Sequence, residues 1–227
     1  MDSSDVLSRL EMMANQASVD GMARYGIKPN KVYGISMPTL KKLAREIGRD
    51  HKLALELWDS GYHEARMVAA LIAEPRRVTE KQMEAWAGDF DSWALCDSVC
   101  GYLLDRTPCA WKKASEWSER QEELVKRAAF ALMAWLAVHD KNTEDEKYIA
   151  LLTIIKREAA DTRNLVSKSV NWALRQIGKR NRKLNSLAIQ AAHEIEGYDS
   201  RQARWVAHDA LSELTSEKVQ SRFRNKE

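Results

Sequence analysis

Apolar residues recur at three- and four-residue intervals along nearly the whole chain, with charged residues between them. That period predicts amphipathic helices. The pattern divides the chain into about twelve short helices, over 4–17, 37–48, 51–59, 63–73, 80–88, 91–104, 109–118, 121–138, 144–157, 162–178, 182–195 and 199–213. Ser36 ahead of Pro38, Thr79 three before Gln82, and Asp161 ahead of a long periodic stretch read as helix starts. Strand signals are nearly absent: the Asp20-Gly21 pair is not flanked by alternating apolar residues. Short connections make sequential helices antiparallel. The longest apolar run, Ala128 to Val138, is bounded by Lys126-Arg127 and His139-Asp140. A membrane-spanning helix needs roughly 20 residues, so this run is expected to be a buried helix, with Trp135 in the core.

The helices repeat. Ala70-Leu71, Ala131-Leu132, Ala173-Leu174 and Ala210-Leu211 occupy similar points, each a few residues after a cation: Arg66, Arg127, Lys168 and Arg204. The last three pairs lie about 40 residues apart, the period of HEAT or armadillo repeats. The expected fold is therefore an all-α helical-repeat solenoid, one domain over 1–227, whose second helices line a concave basic face. One cation per repeat suits a ladder of phosphates; ordinary inner-face charges of a protein-binding solenoid are the other reading of the same pattern.

Charge sharpens this only locally. Net charge is +3, too small to name a nucleic-acid partner. Lys41, Lys42, Arg45 and Arg49 form one basic cluster, Lys179, Arg180, Arg182 and Lys183 a second, and Arg222, Arg224 and Lys226 close the chain. Solvated helix faces and helix C-termini account for such clusters equally well. The start carries no secretory signal, and three cysteines, an odd number, fit a reducing cytoplasm. Cys96, Cys100 and Cys109 lack a histidine at zinc spacing, so buried thiols are expected and no metal. No phosphate-binding or dinucleotide glycine motif calls for a cofactor.

Three constellations carry candidate chemistry. Trp93 and Asp97 are four apart, so both face one side of a helix. A ring and a carboxylate together stabilise a developing cation; a core tryptophan with a locally paired aspartate has the same spacing. Arg127 can hold a phosphate through its forked donors or bridge repeats. Trp172, with Lys168 and Arg175 on its face, can press on a sugar or base or pack between helices. Trp58, Trp86, Trp111, Trp117 and Trp205 read mostly as packing.

Together these pieces resemble the AlkD family of DNA alkylation-repair glycosylases. The match runs through Met22-Ala23-Arg24-Tyr25, Tyr33-Gly34-Ile35 and Pro38, then Glu56-Leu57-Trp58. It continues through Trp93 to Asp97 with Ser98-Val99, Lys126-Arg127-Ala128-Ala129, and Lys168 through Arg175 followed by Asn181. The resemblance implies excision of cationic alkylated purines from duplex DNA by Asp97, Trp93, Trp172 and Arg127. Tyr25 would line the site and Lys168 and Arg175 would grip phosphates, with the lesion left in the duplex. The residues themselves give no sign of a cofactor, metal or membrane partner, and a monomer is expected. One departure is visible: Trp-Ala-Leu-Cys-Asp stands where the family often has Trp-Asp-Ser-Val-Asp, so Ala94 and Cys96 change the surroundings. A non-catalytic HEAT-like DNA-binding protein and a scaffold for helical protein ligands are the competing functions.

Overall fold

The structure, a computed structural model, describes residues 1–224; Lys226 of the terminal basic run lies outside them. Fourteen α-helices and no strands occur among the described residues, against about twelve expected. Internal contacts divide the chain into two compact units, one over Met1–Ala110 and the other beginning at Trp111.

The first unit holds α1 (Ser3–Met12), α2 (Gln16–Arg24), α3 (Met37–Ile47), α4 (His51–Asp59), α5 (His63–Ile72), α6 (Glu80–Gly88) and α7 (Trp93–Tyr102). The single helix expected over 4–17 is two. Asn15 breaks it: its side chain accepts the Ser18 N–H and starts α2. Thr79 caps α6 through the Gln82 N–H as expected. Ser36 stands at the N-cap of α3 but makes no side-chain cap; Pro38 in the first turn pre-sets the backbone instead. α5 packs on α3, α4 and α7. Below it Trp58 and Trp86 stack at 3.9 Å, and Trp58 donates to Asp89 at 2.7 Å.

The segment between α2 and α3 is tied to α5 by a buried carboxylate. Glu64 accepts the backbone N–H groups of Tyr33, Gly34 and Ile35 at 2.9, 2.7 and 3.2 Å. Gly34 has φ +77°, and a Cβ there would meet the Asn15 carbonyl at 2.4 Å. Both facts demand glycine.

The second unit holds α8 (Ala110–Glu116), α9 (Glu123–His139), α10 (Asp145–Glu158), α11 (Asn164–Gly178), α12 (Arg182–Glu196), α13 (Arg201–Leu214) and α14 (Glu217–Arg224). α9 packs along α11, α11 along α13, and α10 along α12. This is the stacking of helical hairpins in HEAT-like repeats. Val125 through Ala134 are all buried, so the apolar run is the expected interior helix. Its alanines let neighbouring helices approach closely. Gly178 does the same at the end of α11, where a Cβ would meet Leu214 Cδ2 at 2.7 Å and Ala188 Cβ at 2.9 Å.

Polar bonds between successive hairpins join residues about one repeat apart. Asn171 donates to Asp209 at 2.7 Å, Arg175 to Glu213 at 2.8 Å, Asn181 to Asp145 at 2.8 Å and Lys156 to Glu194 at 2.7 Å. Asp161 does not cap α11 as expected; Arg163 is the N-cap residue. Asp161 instead accepts the Arg163 backbone N–H and pairs with Arg163 and Lys126. Burial pushes its carboxyl up, but those hydrogen bonds outweigh burial and hold it at about 2.

Candidate nucleic-acid interface

In the first unit, α7 buries Leu95, Cys96, Val99 and Cys100 on one side. Trp93, Ala94, Asp97 and Ser98 are half-exposed on the other. The Ser92 side chain caps the helix through the Leu95 N–H, which fixes Trp93 at the first helical position. Trp93 Nε1 donates to the backbone carbonyl of Tyr25 at 3.0 Å. Tyr25, at the C-terminal cap of α2, is 73% exposed. The structure thus brings Trp93, Asp97 and the Tyr25 backbone onto one accessible patch. Cys96 and Cys100 lie beneath it as buried thiols; burial above all, then the Cys96 contact, pushes the Cys100 thiol up.

In the second unit, Trp172 is half-exposed on α11 with Lys168 one turn before it. Trp135 meets it edge-to-face at 5.4 Å and stacks on His139 at 4.9 Å. Trp135 is therefore not the core residue expected. It is half-exposed at the surface end of an otherwise buried helix, and periodicity inside a continuous apolar run gave no sign of this. The Gln176 amide oxygen, oriented to satisfy its neighbours, accepts from Trp172 Nε1 at 3.2 Å and Lys179 Nζ at 3.3 Å. These contacts hold the half-exposed Trp172 ring.

The four repeat cations divide. Arg66 lies over the Trp58 ring at 5.1 Å, donates to the Asp89 carbonyl at 3.0 Å and approaches the Asp89 carboxylate at 3.6 Å. Arg127 is 6% exposed and donates through Nη1 to the Leu165 carbonyl at 2.6 Å. Lys168 and Arg204 are exposed. Arg175 is committed to Glu213 at 2.8 Å and Asp209 at 3.4 Å. The second basic cluster is likewise engaged internally. Lys179 pairs with Glu213, Lys183 with Glu146, and Arg180 donates to the Ala137 and Asp140 carbonyls at the end of α9.

A stack of α-helical hairpins defines a HEAT-like repeat fold. A solved structure with TM-score 0.77 and 21% identity, covering 94% of this chain and 95% of its own, shares the fold. It is described as a new family of proteins related to the HEAT-like repeat DNA glycosylases with affinity for branched DNA structures. The family model for the DNA alkylation repair enzyme matches residues 6–214, and the chain belongs to that family. Uncharacterised proteins of Listeria innocua and Listeria monocytogenes are 23% and 21% identical over 192 residues, covering 83% of this chain and 84% of theirs.

Proposed function

We propose that this chain is a DNA glycosylase that hydrolyses the N-glycosidic bond of cationic alkylated purines, N3-alkyladenine and N7-alkylguanine, in duplex DNA. The observation that carries the reading is the Trp93–Asp97 pair, half-exposed on one face of α7 in a chain of the alkylation-repair family.

Alkylation places a positive charge on the purine, so the base leaves without being protonated. The site then needs no strong general acid. As the bond breaks, positive charge builds on the deoxyribose. Asp97 stabilises that charge and orients the water that attacks C1′. Trp93 packs on the sugar and adds cation–π attraction of ~0.5–2 kcal/mol, the role that the family resemblance gives Trp172 as well. Arg127, oriented by its bond to Leu165, holds a phosphate beside the lesion, with Lys168 and Arg175 assisting and Tyr25 lining the site. Arg175 reaches a phosphate by exchanging its carboxylate partners on α13 for it. Base flipping is not required, because the catalytic groups address the sugar and not the base.

The test is release of abasic sites from a duplex carrying one methylpurine. Asp97→Asn is expected to lower the single-turnover rate about a hundredfold or more while duplex affinity changes little. Equal rates for mutant and wild type sink the proposal. A second reading, DNA binding without base excision, draws on the branched-DNA affinity of the structural neighbour and on Ala94 and Cys96 beside the key pair. Wild-type protein that binds methylated duplex and releases no base establishes it.

A further inference from the structure

The first basic cluster differs from the second: among the described residues Lys41, Arg45 and Arg49 make no ion pair with a carboxylate. Lys41, Arg45 and Arg49 converge with Ala44, Gly48, Leu71 and Tyr102 on an open groove of about 720 Å³ at the C-terminal ends of α3, α5 and α7. Arg49 also walls a second hollow of about 340 Å³, shared with Glu74, Pro75, Arg76 and Arg106. The two hollows form one tract within the first unit, and it shares no residue with the Trp93–Asp97 patch.

Among the described residues no carboxylate lies within salt-bridge distance of Lys41, Arg45, Arg49 or Arg76. Arg45 Nε donates to the Lys41 carbonyl at 3.2 Å. Arg49 uses Nη1 alone, on the Leu71 and Ala73 carbonyls at 3.0 and 2.5 Å. That contact fixes the guanidinium against the end of α5, while among the described residues Nε and Nη2 keep no protein partner. The one carboxylate in the tract, Glu74, is paired with Arg77 at 3.0 Å. Arg106 is held through the Tyr102 carbonyl at 3.3 Å. Most cations of the second unit's repeats are paired with carboxylates, Lys126, Arg175, Lys179 and Lys183 among them, and this row contrasts with them. Clustered cations repel one another and call for an anion.

The groove also presents a ring. Tyr102 is half-buried, so its plane is held, and Lys41 Nζ sits over it at 4.7 Å. An exposed lysine over a ring is a weaker contact than a stacked nucleobase. The lysine can swing aside to a phosphate while a base takes its place. A row of cations tracking a backbone beside a stacking ring suits an unpaired strand; in a duplex the base faces are already covered by their neighbours.

We propose that this tract binds a single-stranded segment of nucleic acid, its phosphates along Lys41, Arg45, Arg49 and Arg76 and one base on Tyr102. The proposal rests on the reading of the chain as DNA-binding and extends it to DNA that is not fully paired.

The experiment measures fluorescence anisotropy of the full-length protein on two probes, a blunt duplex and the same duplex with a tail of about ten nucleotides. Wild type is expected to prefer the tailed probe. Combined Lys41→Gln, Arg45→Gln and Arg76→Gln, all exposed side chains, should abolish the preference. The slope of log K against log salt on the tailed probe should fall by about 2, at ~0.7 for each phosphate no longer neutralised. Tyr102→Ala should weaken tailed binding about fivefold or more, while Tyr102→Phe keeps it. Excision from a blunt methylated duplex should be unchanged in the triple variant. Equal wild-type affinity for the two probes, or an unaltered preference and slope in the triple variant, overturns the proposal. Excision is read separately, so equal affinity for the two probes with intact excision fails this inference alone. Wild type that binds neither probe fails both.

Discussion

Glu64 is 1% exposed, and its carboxylate faces three backbone N–H groups of the segment that follows Tyr25. A buried acceptor satisfied this way holds the loop leading into α3. Glu64→Gln keeps the shape but loses the charge and puts an NH₂ group opposite N–H donors. The expected loss is about 1–3 kcal/mol of unfolding free energy, read by denaturant titration; an unchanged midpoint rejects the role. His63 beside it is 4% exposed, with Nδ1 lacking a hydrogen-bond partner among the described residues. Burial lowers its pKa, Arg66 lowers it further, and Glu64 and Asp91 oppose. A folded-state pKa below the unfolded value means that the unfolded chain takes the proton first. Stability from this residue is full at neutral pH and falls as pH drops below about 6.5. His51 shifts in the same direction, again chiefly by burial. Unfolding free energy measured from pH 7 to 5 should decline, and His63→Gln should make that decline shallower.

At the scale of elements, strong periods were legible and weak ones were not. The helices from 37 to 59 and from 121 to 195 were expected within a few residues, because each buries a continuous apolar stripe. α2 buries no residue and α14 only Val219 and Phe223, so neither contributes a continuous buried stripe. Parts of the family-like pattern turn out to hold the fold. Gly34 makes a turn only glycine can make, Trp58 is a buried stack, and Asn181 caps α12 and reaches Asp145. Lys126 is 8% exposed between Glu158 and Asp161. Periodicity also could not separate the two basic clusters. Partners such as Glu213 for Lys179 and Glu146 for Lys183 lie one repeat away, and only stacking shows which cations are neutralised. The Lys126 network carries a pH signature of its own. Asp161 is held at about 2, below its unfolded value, so its contribution is present above about pH 4 and lost as pH falls towards 2. Asp161→Asn should flatten stability against pH in that window while removing a partner of a buried lysine. A titration with the same slope as wild type counts against the network.

For the whole molecule, the near balance of 36 basic and 33 acidic residues has a consequence for how DNA would be held. Many cations are consumed by carboxylates or carbonyls within the protein, Arg66, Arg175, Lys179 and Lys183 among them. Beyond the proposed Arg127 contact, phosphates of the duplex then fall to exposed cations such as Lys168 in the second unit, and those of an unpaired segment to Lys41, Arg45 and Arg76 in the first. Each phosphate neutralised releases counterions, so affinity for duplex must fall steeply as salt rises. The proposed chemistry behaves differently. Asp97 and the rings of Trp93 and Trp172 are half-buried, and charges partly removed from water are screened much less by salt. Single-turnover excision with saturating enzyme should therefore be nearly constant from low to physiological salt, while Kd rises over the same range by an order of magnitude or more. Arg127→Ala should raise Kd and flatten its salt slope by about 0.9, the value for one phosphate on duplex DNA, with a smaller effect on the rate at saturation. If the saturated rate instead tracks Kd across the salt series, binding and bond cleavage draw on the same exposed charges, and the assignment of catalysis to the half-buried pair on α7 fails.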